Sequence, residues 1–205
     1  MTLAPSTRPV GERGLLVEVE SNEAARTLFS FARAASGLDL QDVVPGHDTV
    51  LLVGRRRRPS LDQLAGWQTH RGGSAAPRLV ELRVAYDGPD LPAVAASCGF
   101  SEEEVVRRHR RPLYTVGFMG FAPGFAYLIG GDPLVRPPRL DTPRTRVNAG
   151  ALAIAGEYSA VYPTASPGGW QLIGRSAERL FDQRSATPSL LRPGDRVRFV
   201  CDAER

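Results

Sequence analysis

Lysine is absent from this sequence: all 26 basic residues among its 205 residues are arginines. A P-loop places a lysine against the phosphates of its nucleotide, so the sequence excludes this kind of ATP site. Schiff-base catalysis and the attachment of biotin also need a lysine amine, and both are excluded on this chain. A reaction that depends on ATP or biotin would therefore rely on a partner for that apparatus.

Cysteine and long apolar runs are also scarce. Cys98 and Cys201 form no CxxC pair, which predicts reduced, structural thiols. No apolar run approaches the ~18–20 residues that span a bilayer, and the N-terminus lacks the apolar core of a signal peptide. We therefore expect a cytoplasmic protein without a membrane partner. No group of His, Cys, Asp and Glu has the spacing of metal ligands, so no metal site is expected.

The net charge of +4 and residues 95–110 raise the alternative of DNA binding. A glycine there separates two predicted helices, the second rich in arginine, as in a helix-turn-helix. The first turn of that second helix carries Glu102, Glu103 and Glu104, and phosphates would repel carboxylates at the start of a recognition helix. The sequence therefore predicts no nucleic-acid partner.

The first 76 residues predict a small α+β domain. Strands are expected over 14–20 and at Thr49–Val53, with a helix over 22–35 that Asn22 could cap. A second helix is expected after Pro59, where leucine and tryptophan recur. The glycine-rich segment from Gly72 to Pro77 predicts a linker.

Residues 77–205 predict a second domain that is mainly β. After a strand from Leu79, Asp90 is expected to cap one helix, and the capping box of Ser101 and Glu104 is expected to begin another. This second helix must stop before Pro112. The short apolar segments that follow, separated by Gly and Pro, favour a barrel or sandwich.

Glycine, proline, aromatic residues and arginine recur between Gly117 and Arg175. Arg139 and Arg144 lie close together there, and an arginine fork can bind a carboxylate or phosphate through two bonds. Gln171 and Arg175 are four residues apart on a predicted strand, so they are expected to share one face. This pattern predicts a polar pocket for an anionic ligand.

Two further residues leave alternatives open. His109 lies in the last turn of its helix and is either a partly buried structural residue or a residue that contacts the ligand. Ser166 lies in the segment SPGG and is either a turn hydroxyl or a nucleophile. The sequence lacks the G-x-S-x-G pattern that would favour the nucleophile.

The motifs GFAPGFAYL, TPRTRV, YPTASPGGWQLIGR and LFD occur in this order, followed by LRPGDRVRF. In this order they resemble the carboxyltransferase-type subunit 1 family. That family includes the B-type subunit of 5-oxoprolinase, allophanate hydrolase subunit 1 and the Kip inhibitor of a sporulation histidine kinase. The resemblance implies an α+β fold, with a small N-terminal α+β domain (1–76) followed by a cyclophilin-like β-barrel domain (77–205).

The resemblance also implies a function and partners. The first expectation is a subunit of an ATP-dependent 5-oxoprolinase, which opens 5-oxoproline to glutamate, and the subunit is expected to be inactive alone. Its partners would be a homologous second subunit and a third, TIM-like subunit. One alternative is an allophanate hydrolase or urea carboxylase subunit, with biotin only on a partner. A non-enzymatic alternative is inhibition of a histidine kinase.

The positions that match the family's motifs identify the candidate site residues that the resemblance implies for this chain. The candidate catalytic residues are His109, Arg144 and Gln171, and the candidate substrate-binding residues are Tyr127, Arg139 and Arg175. Three positions depart from the family pattern. Ala126 replaces a proline, Asn148 replaces another, and the segment after Tyr86 is shortened to DGPDL, which predicts a remodelled rim of the pocket.

Overall fold

The computed structural model describes residues 5–70 and 77–201. The chain divides into two compact units, Met1–Pro77 and Arg78–Arg205. All of the predicted linker except Pro77 lies outside the described residues. The boundary between domains 1–76 and 77–205 therefore stays a prediction.

The first unit is an antiparallel four-stranded sheet in the order β1-β2-β4-β3, with one helix. The elements are β1 Ser6–Val10, β2 Gly14–Glu18, α1 Asn22–Ala34, β3 Leu40–Pro45 and β4 Thr49–Gly54. Burial of the apolar face of α1 explains the packing, because Ala25 and Leu28 share a core with Val17 and Leu52 of the sheet.

Three details of this unit differ from the predictions. The edge strand β1 is fully exposed and has no apolar alternation that could signal it. The helix cap is Ser21, whose hydroxyl accepts from Ala24 N at 3.1 Å, whereas Asn22 is buried and donates to His47 O. The expected second helix is two 3₁₀ turns, because Gly66 between them has φ +85°.

The second unit is built on a seven-stranded sheet in the order β12-β9-β10-β7-β6-β13-β5. Over residues 78–201 its strands are β5 Leu79–Val84, β6 Tyr114–Met119, β7 Ala126–Ile129, β8 Arg144–Val147, β9 Ala151–Ala155, β10 Tyr158–Val161, β11 Ser166–Gly168, β12 Gln171–Arg175 and β13 Arg196–Cys201. Two helices, α2 Leu91–Cys98 and α3 Glu102–Arg110, lie between β5 and β6. Strands β8 and β11 form a separate two-stranded sheet.

The seven-stranded sheet curls into a nearly closed barrel. Ala85, just beyond β5, pairs with Arg175 of β12 through two backbone hydrogen bonds of 2.8 Å. This joins the first strand in the order to the last, so the sheet has almost no free edge. The predicted α+β fold with a β-barrel is therefore confirmed.

The barrel wall has two apolar faces, as the alternation of side chains in a strand requires. Leu152 and Ile154 of β9 belong to the interior core, which receives side chains from every strand of the barrel. Ala151, Ala153 and Ala155 belong to a second cluster on the opposite face. We call this second group the outer aromatic cluster; its rings belong to Phe125, Tyr127, Tyr158, Tyr162 and Trp170.

Residues 85–90 pack tightly on β12 at the point where the barrel closes. A Cβ on Gly88 would lie 2.3 Å from the carbonyl oxygen of Leu172, and one on Gly174 would lie 2.3 Å from that of Ala85. The backbone N–H of Asp90 also donates to Leu172 O at 2.9 Å. Glycine is therefore required at both positions by the close approach of two backbones.

We predict that Gly88→Ala destabilises the barrel by about 1–3 kcal/mol, because the methyl group would overlap backbone atoms that cannot rotate away. The measurement is urea unfolding followed by the fluorescence of Trp170 in a Trp67→Phe background, where Trp170 is the only tryptophan. Gly120→Ala is the control, since its Cβ would come no closer than 3.7 Å to the Tyr127 ring. Equal losses in the two variants would contradict the close approach.

Candidate functional site

Tyr127 lies at the centre of the outer aromatic cluster. Its ring stacks on Phe118 with centroids 4.2 Å apart and meets Trp170 edge-on at 5.7 Å. Alternation along β7 directs Tyr127 to this face, while Ala126 and Leu128 enter the interior core. Tyr127 remains partly exposed, so the cluster offers an aromatic surface to a ligand.

Arg139 lies over this aromatic surface. Its guanidinium carbon is 5.9 Å from the centre of the Trp170 ring, within the range of a cation–π contact. The loop that carries Arg139 is held in place by a 2.7 Å hydrogen bond, which Leu140 N donates to Gly169 O. Burial raises the pKa of Tyr127, and the nearby positive charge of Arg139 opposes that rise.

Arg144 approaches the same cluster from β8. It pairs with Gly168 of β11, and the Tyr162 hydroxyl lies so close to Gly168 that a Cβ there would be 2.3 Å from it. Burial raises the pKa of Tyr162, and the charges of Arg139 and Arg144 oppose the rise. Two positive charges therefore act on the same region of the cluster, which favours an anionic ligand.

Arg144 uses only part of its guanidinium within the protein. Its Nη2 donates to Asp90 Oδ1 at 2.6 Å, whereas Nη1 is buried without a hydrogen-bond partner. The hydroxyl of Ser166 on the neighbouring strand is also buried and unpartnered. Buried polar atoms normally have partners, so each of these two atoms retains the capacity to bond a ligand.

Gln171 flanks the cluster on the other face of β12. It pairs with Ile154 of the interior core, and its Nε2 donates to Pro138 O at 3.2 Å. Its Oε1 is buried and unpartnered. Gln171 therefore contacts the loop that carries Arg139 but does not share the face of Trp170.

The prediction that Gln171 and Arg175 share one face is wrong. A register shift between Leu172 and Gly174 makes Arg175 pair with Ala151, three residues from the partner of Gln171. Such an irregularity reverses the alternation of side chains. Arg175 is 72% exposed and forms an ion pair with Asp87 at 2.7 Å.

His109 lies inside the barrel and apart from the outer aromatic cluster. Its Nδ1 hydrogen-bonds the Tyr86 hydroxyl at 2.8 Å and its Nε2 the Ser159 hydroxyl at 3.0 Å. The residue is 2% exposed and packs on Phe199. Burial lowers the pKa of His109 to about 3, so its ring is neutral at physiological pH. This placement favours the structural alternative for His109.

The structure thus places Tyr127, Arg139 and Arg144 at the outer aromatic cluster and directs Gln171 to the other face of β12. Arg175 is exposed and paired with Asp87, and His109 is buried inside the barrel. The sequence patterns did not reveal two contributors, Asp90 and Tyr162. Asp90 was assigned only to helix capping, but its carboxylate makes no bond to its own helix. Its partner Arg144 lies 54 residues away in the sequence, so no local sequence pattern reveals this contact.

Phe121 is a further feature that the sequence did not reveal. It has φ +66°, a conformation that large residues rarely adopt. Ala122 N donates to Gly120 O at 2.8 Å across it, which makes a tight three-residue turn. The ring is 61% exposed and meets Phe125 and Tyr162 edge-on. A strained, exposed aromatic at the rim is typical of a functional loop.

Two further features concern only the described residues. Among them, no helix is long and apolar enough to cross a membrane. Within 5–70 and 77–201, no three side chains of His, Cys, Asp or Glu come together in a way that could hold a metal ion.

Comparison with known proteins finds one matching family model and several similar proteins. Residues 5–191 match the family model described as carboxyltransferase domain, subdomain C and D. The B-type subunit of 5-oxoprolinase from Escherichia coli O157:H7 is 39% identical, over 95% of this chain and 95% of that protein. Its counterpart of the same name from Haemophilus influenzae is 35% identical, over 95% and 96%. Urea amidolyase of Saccharomyces cerevisiae is 35% identical over 42% of this chain and 5% of its own.

Solved structures agree with the fold. The crystal structure of TTHA0988 superposes with a TM-score of 0.80 and is 42% identical over 92% of this chain. The chain spans only 40% of the length of TTHA0988. Urea amidolyase of Kluyveromyces lactis superposes with a TM-score of 0.73 over 96% of this chain and 15% of its own, at 18% identity. The latter likeness concerns the fold alone.

The buried histidine generates a prediction about pH. Its folded pKa is lowered, so its contribution to stability is complete above the unfolded pKa of about 6.5 and decreases as the pH falls below that value. Between pH 7 and pH 5 the free energy of unfolding should fall by about 2 kcal/mol because of His109 alone. Urea unfolding followed by Trp170 fluorescence in the Trp67→Phe background measures this.

His109→Gln is the matched variant, because glutamine keeps hydrogen-bonding capacity without titrating. It should be less stable at pH 7 but lack the extra pH dependence of about 2 kcal/mol. An identical pH dependence in the two proteins would show that His109 is protonated equally in the folded and unfolded states.

Proposed function

The chain belongs to the carboxyltransferase family with subdomains C and D, and we propose that it is the B-type subunit of a 5-oxoprolinase. In this proposal it works within a complex that hydrolyses 5-oxoproline to glutamate. The relatives that support this match it over 95% or more of their own length, and both are named as B-type subunits of 5-oxoprolinase. A subunit name also supports a multi-subunit assembly.

The observation that carries the proposal is the unpartnered Nη1 of Arg144 beside the outer aromatic cluster. 5-Oxoproline has a carboxylate, which a guanidinium binds strongly, and a flat lactam ring, which can pack against Tyr127. Arg139, over Trp170, adds a second positive charge for the carboxylate or for the oxygen of the lactam carbonyl. The charge and the flat ring of the ligand therefore suit the groups available.

The reaction itself breaks the lactam C–N bond and adds water across it, giving the second carboxylate and the amine of glutamate. The lactam is stable, so the complex is proposed to couple this step to ATP hydrolysis. Arg144 would polarise and hold the substrate, and Gln171 would support the loop that carries Arg139 through its bond to Pro138 O. His109 supports the barrel wall from inside and has no contact with substrate in this proposal.

Partner subunits complete the activity in this proposal. The chain has no lysine, so a P-loop must lie elsewhere if the ATP site has one. We propose that a homologous carboxyltransferase-type subunit and a TIM-like subunit supply the ATP site and the remaining catalytic groups. TTHA0988 is compatible with this, because the present chain matches only 40% of it. The subunit alone would then bind substrate without turnover.

The second candidate is the urea branch of the family. It is favoured by the match to yeast urea amidolyase, which covers 42% of this chain. Carboxylated ureas also carry carboxylate and carbonyl oxygens for the arginines. Inhibition of a histidine kinase is the third candidate, and it would use exposed surface without the Arg144 pocket.

We predict that Arg144→Ala lowers kcat/KM of the reconstituted complex for 5-oxoproline by at least about 100-fold, because a charged hydrogen bond to substrate is lost. The measurement is ATP-dependent release of glutamate by the purified subunits. Arg146→Ala is the matched control: it lies on the same strand but is exposed. It should change the rate less than about twofold.

Parallel assays separate the candidates. A wild-type complex that is folded and assembled but releases no glutamate would rule out the 5-oxoprolinase. Turnover of allophanate or carboxylation of urea with a biotin-bearing partner would establish the urea branch. Kinase inhibition that survives Arg144→Ala would identify the regulator.

A further inference from the structure

Asp90 occupies an unusual position at the closure of the barrel. Its carboxylate is only 11% exposed and is shared between two elements. One oxygen accepts from Leu172 N of β12 at 2.6 Å, and the other accepts from Arg144 Nη2 of β8 at 2.6 Å. Its backbone N–H donates to Leu172 O, and its backbone carbonyl accepts from Val94 N of α2.

This arrangement fixes where the guanidinium of Arg144 points. The group is planar and rigid, so fixing one nitrogen also fixes the direction of the others. Leu172 N–H bonds the second oxygen of Asp90, and the carboxylate bonds only Nη2 of Arg144. Nη1 is left buried and unpartnered, so it is the donor of Arg144 that an anion would bond.

We propose that Asp90 is a positioning residue that acts through Arg144. It holds the guanidinium on the closure of the barrel so that Nη1 faces the ligand. Without it, the side chain of Arg144 would rotate among several conformers and bind an anion less well. The kinetic measurements that test this proposal rest on the proposed function, whereas the spectroscopic measurement does not.

The informative variant is Asp90→Asn. An asparagine oxygen can still accept from Leu172 N–H, so the closure is retained, but its NH₂ group faces Arg144 and cannot accept a hydrogen bond from it. In the reconstituted complex, kcat/KM for 5-oxoproline should fall about 10- to 100-fold, mainly through a higher KM. Glu81→Gln is the control, since it removes the charge of an exposed partner of Arg198; it should change kcat/KM less than about twofold.

A double-mutant cycle distinguishes positioning from a structural role. In an Arg144→Ala background, Asp90→Asn should change kcat/KM by no more than about twofold, because its effect passes through Arg144. An equal loss in both backgrounds would show that the effect does not pass through Arg144, and no loss in either would show that the closure retained by asparagine is the whole role of Asp90; either result would overturn the proposal.

A spectroscopic measurement does not depend on activity. The ¹⁵N-¹H guanidinium signals of Arg144 in the isolated chain can be assigned from their loss in Arg144→Ala. We expect hindered rotation of the group in the wild type and free rotation in Asp90→Asn. Free rotation already in the wild type would overturn the proposal, and so would hindered rotation that persists in the variant. Inactivity of the wild-type complex would refute the 5-oxoprolinase and leave this measurement decisive for Asp90.

Discussion

The closure of the barrel between residues 85–90 and β12 is the constraint on which the second unit depends. A sheet of seven strands has two edges with unpaired N–H and C=O groups, and leaving them buried would cost free energy at each group. The pairing of Ala85 with Arg175 satisfies one part of this edge. Asp90 satisfies the next part by bonding both backbone groups of Leu172. A nearly buried carboxylate in this place also needs a positive partner, which Arg144 supplies. The fold thus requires Arg144 where the proposed chemistry uses it.

The same closure determines the shape of the outer face. Regular alternation at the start of β12 places Trp170 and Leu172 in the outer aromatic cluster and Ile173 in the interior core, and the register shift follows Leu172. The small side chains of the β9 alanines leave room for the large rings of the same cluster. Rings packed edge-to-face in this way are rigid, which keeps the aromatic surface ready for a ligand.

Local patterns in the sequence predicted most of the elements but few of the contacts. The capping box correctly placed the start of α3, because Ser101 Oγ accepts from Glu104 N at 3.2 Å. Asp90 was placed correctly at the start of α2, yet its carboxylate serves Leu172 and Arg144. Long-range pairing decides such cases, and a single sequence carries no record of it. The register shift in β12 was equally invisible, since glycine at 174 is compatible with a regular strand.

The candidate site residues were predicted from motif positions, and the structure shows the physical role of each one. Arg144 has a donor without a partner, Arg139 lies over the ring of Trp170, and Tyr127 packs against that ring.

His109 is neutral and bonded at both nitrogens within the barrel, and Asp90 is bonded to Arg144 and Leu172. Neither of these two groups can serve as a general base while keeping its bonds. Burial raises the pKa of Tyr127 and of Tyr162, which keeps both hydroxyls protonated at neutral pH. These residues are better suited to binding and orienting an anion than to activating water. For this reason, the proposed function assigns substrate binding to this chain and the chemistry of ring opening to its partners.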